Sequence, residues 1–429
     1  MDTLDMLRGK IDDIDREMAH LFSARMDVVR QIAVYKKERA LPVRDMAREA
    51  ALLAGSGERM PQTELLPYYS DFQQKLMELS RAYQRAVIGE SPAAVISDRM
   101  GYDVILERGS LSRANQHLSL DRKIFILTDE GVPQQYADLL ASQCRCAVIE
   151  CVPQGERSKS FDVLARLLHK MQDFGLTRED CVAAVGGGMV GDLAGFAASI
   201  YMRGVDFYYV PTTLLAQADA SIGGKTAVNF GGLKNAIGTI RRPRAVLIDP
   251  SVLDTLPRRQ FAAGLAEVVK MALTCDRELF EMLESSDPFA DPDRLIERAL
   301  RIKAEIVTAD EEDRGLRRVL NFGHTIGHAI EAACPDLLHG ECVALGMLPM
   351  CSPPVTRRLR EVLLRLELPV SCNLDREQIC RLIRHDKKAE GSTILVTEVD
   401  EPGSFIFARV TPEALSDTLD TIAEGGSNQ

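Results

Sequence analysis

Cys181-Val-Ala-Ala-Val-Gly186-Gly-Gly-Met-Val-Gly-Asp192 is the stretch that decides the fold class. The apolar run Cys181–Val185 has the length of a buried strand, stops at three glycines, and is followed by a helix-like run. Strand, glycine turn and helix start, in that order, offer backbone N–H groups to a pyrophosphate. The glycines fit GxGxxG literally, a weak signal alone that gains weight from this context. Lys123–Thr128, ending at Asp129, and Phe207–Val210 also read as strands, and Phe161–Phe174 has a helical pattern. Alternating strands and helices indicate an α/β domain with a parallel sheet. An acid is expected about 20 residues beyond the glycines, but Asp206, near that spacing, precedes its strand instead of ending it. Asp129 ends a strand and is the better ribose partner. The reading is a dinucleotide site outside the standard Rossmann unit.

Neighbouring loops extend this site. Gly155-Glu-Arg-Ser-Lys159 and Pro211-Thr-Thr213 are candidate cofactor loops, although each taken alone reads as a plain turn. Asp219-Ala-Ser-Ile-Gly-Gly-Lys225 resembles the tail of a P-loop, but Asp occupies the position of the required first glycine, so a nucleoside triphosphatase is rejected. Lys225, with Lys234 and Asn235 further on, still suits a phosphate or carboxylate.

From about Ser251 the pattern is mainly helical. Glu267 and Lys270 share a helix face, where a solvated i,i+3 pair is the plain alternative. Asn321-Phe-Gly-His-Thr-Ile-Gly-His-Ala-Ile-Glu331, followed by His339-Gly-Glu341, holds three of the seven histidines. Read as one helix, a single face carries Arg317, Asn321, His324 and His328. A guanidinium, an amide and two imidazoles pack poorly and suit a metal-and-anion site, hence an enzyme.

The whole chain bounds these readings. Its 429 residues suggest about three domains. A net charge of −11 without a basic stripe argues against a nucleic-acid scaffold, and Arg241, Arg242 and Arg244 read as a local solvated loop. Ten scattered cysteines without paired CxxC motifs indicate reducing cytosol. There is no apolar leader and no run of eighteen apolar residues, so the expectation is a cytoplasmic protein without a membrane partner.

Residues 4–35 carry a seam of Leu4, Leu7, Ile11, Ile14, Met18, Leu21, Val28, Ile32 and Tyr35, with Arg25 interrupting it. A second seam runs from Leu65 to Ala86, and a short helix near Asp45–Ala54, ended by Gly55 and Gly57, lies between them. So long a helix in a three-helix chain calls for a partner chain. Arg25 needs an anion, and a register-setting ion pair is the plain alternative to a ligand.

These residues resemble the all-helical chorismate mutases, through "LRGKIDDID", "ARMDVV", "YKKERALPVRDMAREAALL" and "SRAYQ". The resemblance covers residues 1–88 and implies an intertwined homodimer of three-helix chains. It implies that Arg25 and a partner-chain Arg8 bind the carboxylates of chorismate, and that Lys36 and Gln84 face its ether oxygen. Glu49, near Asp45, would hold the hydroxyl, and Arg48 and Ser80 would complete the pocket. Residues 89–94 read as a linker.

Residues 95–415 resemble 3-dehydroquinate synthase, through "GGGMVGDLAGF", "YMRG", "PTTLLAQADASIGGKTAVN", "LKNAIG", "GLAEVVK" and "LNFGHTIGHAIE…HGE". The resemblance implies an NAD-binding α/β domain, residues 95–250, and a helical metal-binding domain, residues 251–429. Glu267, His324 and His339 would bind a divalent metal, zinc or alternatively cobalt, with His328 in proton transfer. Asp219, Lys225, Lys234, Asn235, Lys270, Lys303, Arg317 and Asn321 would surround the substrate, a heptulosonate 7-phosphate, with Arg203 near its phosphate. NAD contacts would include Asp129, Glu156, Lys159, Gly187, Gly188, Asp192, Thr212, Thr213 and Thr255. The family often has Glu where this chain has Asp313, and segment 348–360 is shorter than in many members. "HDKK" at 385–388 matches a late substrate lysine, Lys387 or Lys388, with His385 on the surface. Rival readings are another sugar-phosphate cyclase, a polyol dehydrogenase, or a helical domain that only regulates or dimerises.

Overall fold

The structure is a computed structural model. It describes residues 3–39, 46–60, 62–88, 94–96, 100–289, 291–311, 315–373, 375–384, 389–390 and 393–423. Asp45, Asp313, His385, Lys387 and Lys388 lie outside the described residues. The chain divides into two compact units, one of residues 1–95 with 115–119, the other of residues 96–114 and 120–429.

The smaller unit is helical. Its first helix, Thr3–Glu38, has 36 residues and is about 54 Å long. Asp5 in the first turn and Lys36 and Lys37 in the last suit the helix dipole. Val29 and Ala33, four apart, are its buried residues, and it packs on helix Leu66–Ile88. Nearly all of the apolar seam is solvent-exposed in the single chain, from Leu4 to Tyr35. Two short helices follow, Met46–Ala54 and Ser56–Arg59. Gly55 therefore ends the first of these, as its low helix propensity favours, but Gly57 sits inside the second and ends nothing.

The larger unit is built on a parallel sheet. Six strands that lie wholly within it run in the order Asp103–Leu106, Ala245–Ile248, Asp206–Pro211, Cys181–Gly186, Lys123–Asp129, Cys146–Val152, all paired in parallel. Successive strands leave Lys123–Asp129 towards opposite edges: Cys146–Val152 lies on one side of it, Cys181–Gly186 on the other. That reversal opens a crevice beyond the carboxyl ends of Lys123–Asp129 and Cys181–Gly186, the place where open α/β sheets bind ligands. Helix Gly188–Ile200 starts there, with Gly187 as its N-cap.

A hairpin not read from the sequence, Lys225–Phe230 with Leu233–Ile240, follows the sheet. Gly231 and Gly232 form its two-residue turn with φ of 59° and 81°, a left-handed pair natural to glycine. The C-terminal part is mainly helical, as expected, but also holds a small antiparallel sheet of Ala389–Glu390, Thr393–Glu398 and Ile406–Val410. Helix Arg258–Cys275 runs through its core, with every residue from Phe261 to Thr274 buried.

Helices His324–Ala333 and His339–Met347 approach so closely that side chains are excluded between them. A Cβ on Gly346 would stand 2.1 Å from the carbonyl oxygen of Gly323 and 2.7 Å from the amide nitrogen of Gly327. Alanine ordinarily gains about 1 kcal/mol over glycine within a helix, but here backbone would have to move. Gly346→Ala is expected to lower stability by about 1–3 kcal/mol, read as a lower urea midpoint with an unchanged slope.

Candidate active site

Side chains converge where the sheet's carboxyl ends meet the buried helices. Asp219 lies on a π-helical turn, Ala216–Ala220, just after strand Asp206–Pro211. Its Oδ2 is 3.2 Å from Lys270 Nζ, and Oδ1 pairs with Lys303 Nζ, which also donates to the Asp219 carbonyl oxygen at 2.5 Å. Lys270 Nζ is in turn 2.6 Å from Glu267 Oε2. The i,i+3 pair is therefore buried, not solvated. Burial alone would lower the pKa of Lys270, but Asp219 and Glu267 outweigh it and raise the value. Burial wins at Lys303, whose pKa is lowered.

Glu267, His324 and His339 form a second, contiguous cluster. Glu267 Oε1 is 3.6 Å from His324 Nε2 and 3.4 Å from His339 Nε2. One donor atom from each of the three lies within 4.8 Å of the others. Despite burial, Glu267 is held well below the usual carboxylate range, chiefly by the Lys270 ammonium. Burial pushes the pKa of His324 well below its usual value, and its Nδ1 is 3.1 Å from the Phe322 carbonyl oxygen. His339 Nδ1 lies 3.3 Å from Glu331 Oε2. His328 is exposed at the rim, its ring 5.2 Å from that of His324 and 5.9 Å from that of His339. Two imidazoles and a carboxylate converging in this way are a donor set for a divalent cation with open positions.

Along the crest a third group forms. Lys159 is buried, with Nζ 2.5 Å from Asp192 Oδ2 and in contact with Asn235 Oδ1. Asn229 Nδ2 donates to Glu156 at 2.8 Å, and the Asn235 amide donates to Asn229 Oδ1 at 2.8 Å. The hairpin is thereby tied to the loop after Cys146–Val152. Asp129 accepts from the Gly131 amide at 2.8 Å, and burial raises its pKa. The Tyr209 hydroxyl donates to the Gly187 carbonyl at 2.8 Å and fixes the glycine turn from beneath. Thr255 Oγ1 meets the Tyr136 hydroxyl at 2.9 Å.

In the smaller unit, Arg25 donates to Ser80 Oγ at 2.5 Å, and burial lowers its pKa. Glu49 Oε1 is 2.6 Å from Arg81, and Gln84 is buried, its Oε1 without a hydrogen-bond partner among the described residues. Lys36 is half-buried and Arg48 exposed.

Known proteins share both parts. Residues 149–263 match the family model 3-dehydroquinate synthase N-terminal, residues 264–389 3-dehydroquinate synthase C-terminal, and residues 7–85 chorismate mutase type II. The 3-dehydroquinate synthase of Streptococcus pneumoniae (strain ATCC 700669 / Spain 23F-1) is 39% identical over 343 residues, 74% of this chain and 96% of the relative. That of Streptococcus mutans serotype c is 38% identical over 346 residues, 75% and 98%. The chain belongs to the 3-dehydroquinate synthase family. A 2-epi-5-epi-valiolone synthase from Streptomyces hygroscopicus subsp. jinggangensis, solved with NAD+ and Zn2+, superposes with TM-score 0.69 at 28% identity, over 76% of this chain and 98% of its own. A 2-deoxy-scyllo-inosose synthase solved with carbaglucose-6-phosphate, NAD+ and Co2+ shares the fold at TM-score 0.70 and 23% identity, over 76% and 99%.

Within this synthase fold one expectation fails. Arg317, Asn321, His324 and His328 do not share a helix. Arg317 and Asn321 lie on a 3-10 helix, Leu316–Asn321, which ends at Phe322, and Gly323 at φ 75° redirects the chain into helix His324–Ala333. A left-handed glycine interrupts the 3.6-residue period that the spacing alone suggested. Arg317 is buried and packs against Gly223, where a Cβ would stand 2.3 Å from its guanidinium nitrogen. Gly223 itself has φ of 100°. Lys225 and Lys234 are exposed on the hairpin, and Lys234 pairs with Glu331 at 2.9 Å. Arg203 follows the far end of helix Gly188–Ile200, roughly 20 Å along its axis from the glycine turn. Thr212 and Thr213 follow the glycine turn's neighbouring strand, Thr212 donating its amide to Gly186. Sequence reading missed Asn229, Tyr209, Glu331 and Arg81. Asn229, Glu331 and Arg81 stand within the family motifs given above, and their polarity there was the available signal.

Asp219→Ala would leave Lys270 and Lys303 buried beside one carboxylate fewer. Losing one partner of such a cluster costs about 3–5 kcal/mol. Urea unfolding of the variant is expected to show a loss of that order.

Proposed function

We propose that the chain is a bifunctional enzyme of aromatic biosynthesis, converting 3-deoxy-D-arabino-heptulosonate 7-phosphate to 3-dehydroquinate plus phosphate and rearranging chorismate to prephenate. The cluster of Glu267, His324 and His339 beside Asp219, Lys270 and Lys303 carries the first activity. The proposed organisation is a mutase unit 1–88, a linker 89–94, an α/β part 95–250 and a helical part 251–429, working in the cytoplasm.

Glu267, His324 and His339 would hold a divalent cation, zinc or cobalt, which polarises substrate oxygens when bound. The fit rests on two imidazole nitrogens already gathered around Glu267 Oε1, with one donor atom of each residue within 4.8 Å of the others. Gly187, Gly188, Asp192, Thr212 and Thr213 would hold NAD at the helix start, with Asp129, Glu156, Lys159 and Thr255 around it; NAD supplies reversible oxidation of a secondary alcohol. The fit rests on a helix N-terminus opening directly from a parallel strand at the crevice.

This chain's residues do the rest. Lys225, Lys234, Lys270, Lys303, Arg317 and the late lysine Lys387 supply positive charge for a phosphate dianion and a carboxylate, with Arg203 serving the phosphate. Asn235 and Asn321 orient hydroxyls, and Asp219 fixes the two buried lysines. Fixed donors of this kind stabilise charge as it develops, because they need no reorganisation. His328, at the exposed rim, moves protons between substrate and solvent.

In the mutase unit no nucleophile is required, only a dicarboxylate held compactly with its ether oxygen stabilised. Arg25, set by Ser80, would bind one carboxylate, Arg48 would line the pocket, and the buried Gln84 with Lys36 would face the ether oxygen. Glu49, with Asp45, would hold the hydroxyl. Arg8 and Arg25 are seventeen positions apart on one helix, about 25 Å. Arg8 therefore completes such a pocket only from a second chain, and the exposed seam offers that chain its surface.

Incubation with the heptulosonate phosphate is expected to release phosphate and form dehydroquinate without net NADH. NADH accumulation would instead mark a dehydrogenase, and failure to form dehydroquinate would refute the substrate. A chelator is expected to abolish this activity and spare chorismate turnover; equal loss of both would contradict independent sites.

Arg25→Ala should lower chorismate turnover by about 100-fold or more, the scale of losing one charge-stabilising donor, with phosphate release unchanged. Chorismate turnover that does not depend on Arg25 would leave the unit a regulatory or dimerisation module.

A further inference from the structure

Glu331 stands between the metal-ligand cluster and the hairpin. It sits seven residues beyond His324 on helix His324–Ala333, so the two share a face about two turns apart. Its two carboxylate oxygens are used differently. Oε2 is 3.3 Å from His339 Nδ1, and Oε1 is 2.9 Å from Lys234 Nζ. The other ring nitrogen of His339, Nε2, faces Glu267 Oε1 at 3.4 Å. An imidazole whose Nδ1–H donates to a carboxylate keeps its lone pair on Nε2 and cannot rotate without losing that bond.

Lys234 belongs to strand Leu233–Ile240, and the next residue, Asn235, is held by Asn229 and Lys159. One polar chain therefore runs from the loop of Glu156 and Lys159, through the hairpin, to Glu331 and His339. We propose that Glu331 is a positioning residue: it fixes the tautomer and ring orientation of His339 for the divalent cation, and through Lys234 it ties that ligand to the hairpin. The proposal rests on Glu267, His324 and His339 being the metal ligands.

Metal-free protein titrated with Zn2+ alone, against a competing chromophoric chelator, tests it. Glu331→Gln keeps an acceptor for His339 Nδ1–H, and Glu331→Ala removes it. Both are expected to weaken Zn2+ binding, within the 10–100-fold range typical of a carboxylate behind a metal-bound histidine, with alanine the weaker binder. Circular dichroism and the urea midpoint of the metal-free Gln variant should match those of the unaltered chain, which separates positioning from a general folding role. Affinity of both variants within about twofold of the unaltered chain overturns the proposal. So does a loss for Glu331→Ala as complete as for His339→Ala, which would make Glu331 a ligand. If the unaltered chain itself binds no Zn2+, the metal reading fails first, whatever the variants do.

Discussion

The half-buried carboxylate of Asp219, between two buried lysines, is the contact on which the larger unit turns. It comes from the first turn after a sheet strand, and it meets lysines from two different helices. None of these three charges is tolerable alone in the interior, where an unpaired ion costs several kcal/mol. Each therefore demands the others, and the α/β half and the helical half are fixed to one another by mutual compensation. Hydrophobic packing between those halves would hold them together, but it is non-directional. Ion pairs with named partners set which turn of each helix faces the sheet.

The same compensation prepares a binding site. Asp219 and Glu267 balance Lys270 and Lys303, so these four charges cancel one another. A divalent cation at Glu267, His324 and His339 would tip that balance positive. An anionic substrate would restore it, and the exposed lysines of the hairpin, Lys225 and Lys234, stand outside the buried set to meet it. Under the proposed function, the charge pairing that stabilises the fold would also favour a phosphorylated acid.

How far the sequence was legible follows from how local each signal is. Strand Cys181–Gly186, its glycines and the next helix are consecutive, so their reading survives folding. Glu267 and Lys270 were placed correctly on one face, but burial, which reverses the worth of that pair, is a tertiary property. The joint face from Arg317 to His328 failed because one glycine at φ 75° outweighs a good-looking period. The hairpin was missed although Gly231 and Gly232 mark its turn; its polar residues looked like ligands, and that reading hid their alternation. Glu331 carries no local signal beyond its polarity, because its partners, Lys234 and His339, come from other elements and only geometry brings them within reach.

The smaller unit obeys a different constraint. Its long helix buries only Val29 and Ala33 within the chain, while an apolar seam, broken only at Arg25, stays in water. Burying a Leu or Ile side chain is worth about 1.5–3 kcal/mol, so exposing so many of them is a large deficit for one chain to carry. A second copy would cover the seam and, because Arg8 and Arg25 are too far apart on one helix to share a ligand, would also complete the pocket. Stability and chemistry then have the same requirement. A seam kept only for dimerisation would need neither Arg25 within it nor Gln84 buried beside unpaired polarity. Both add cost unless a polar ligand occupies the space, which favours chorismate chemistry over a purely structural module.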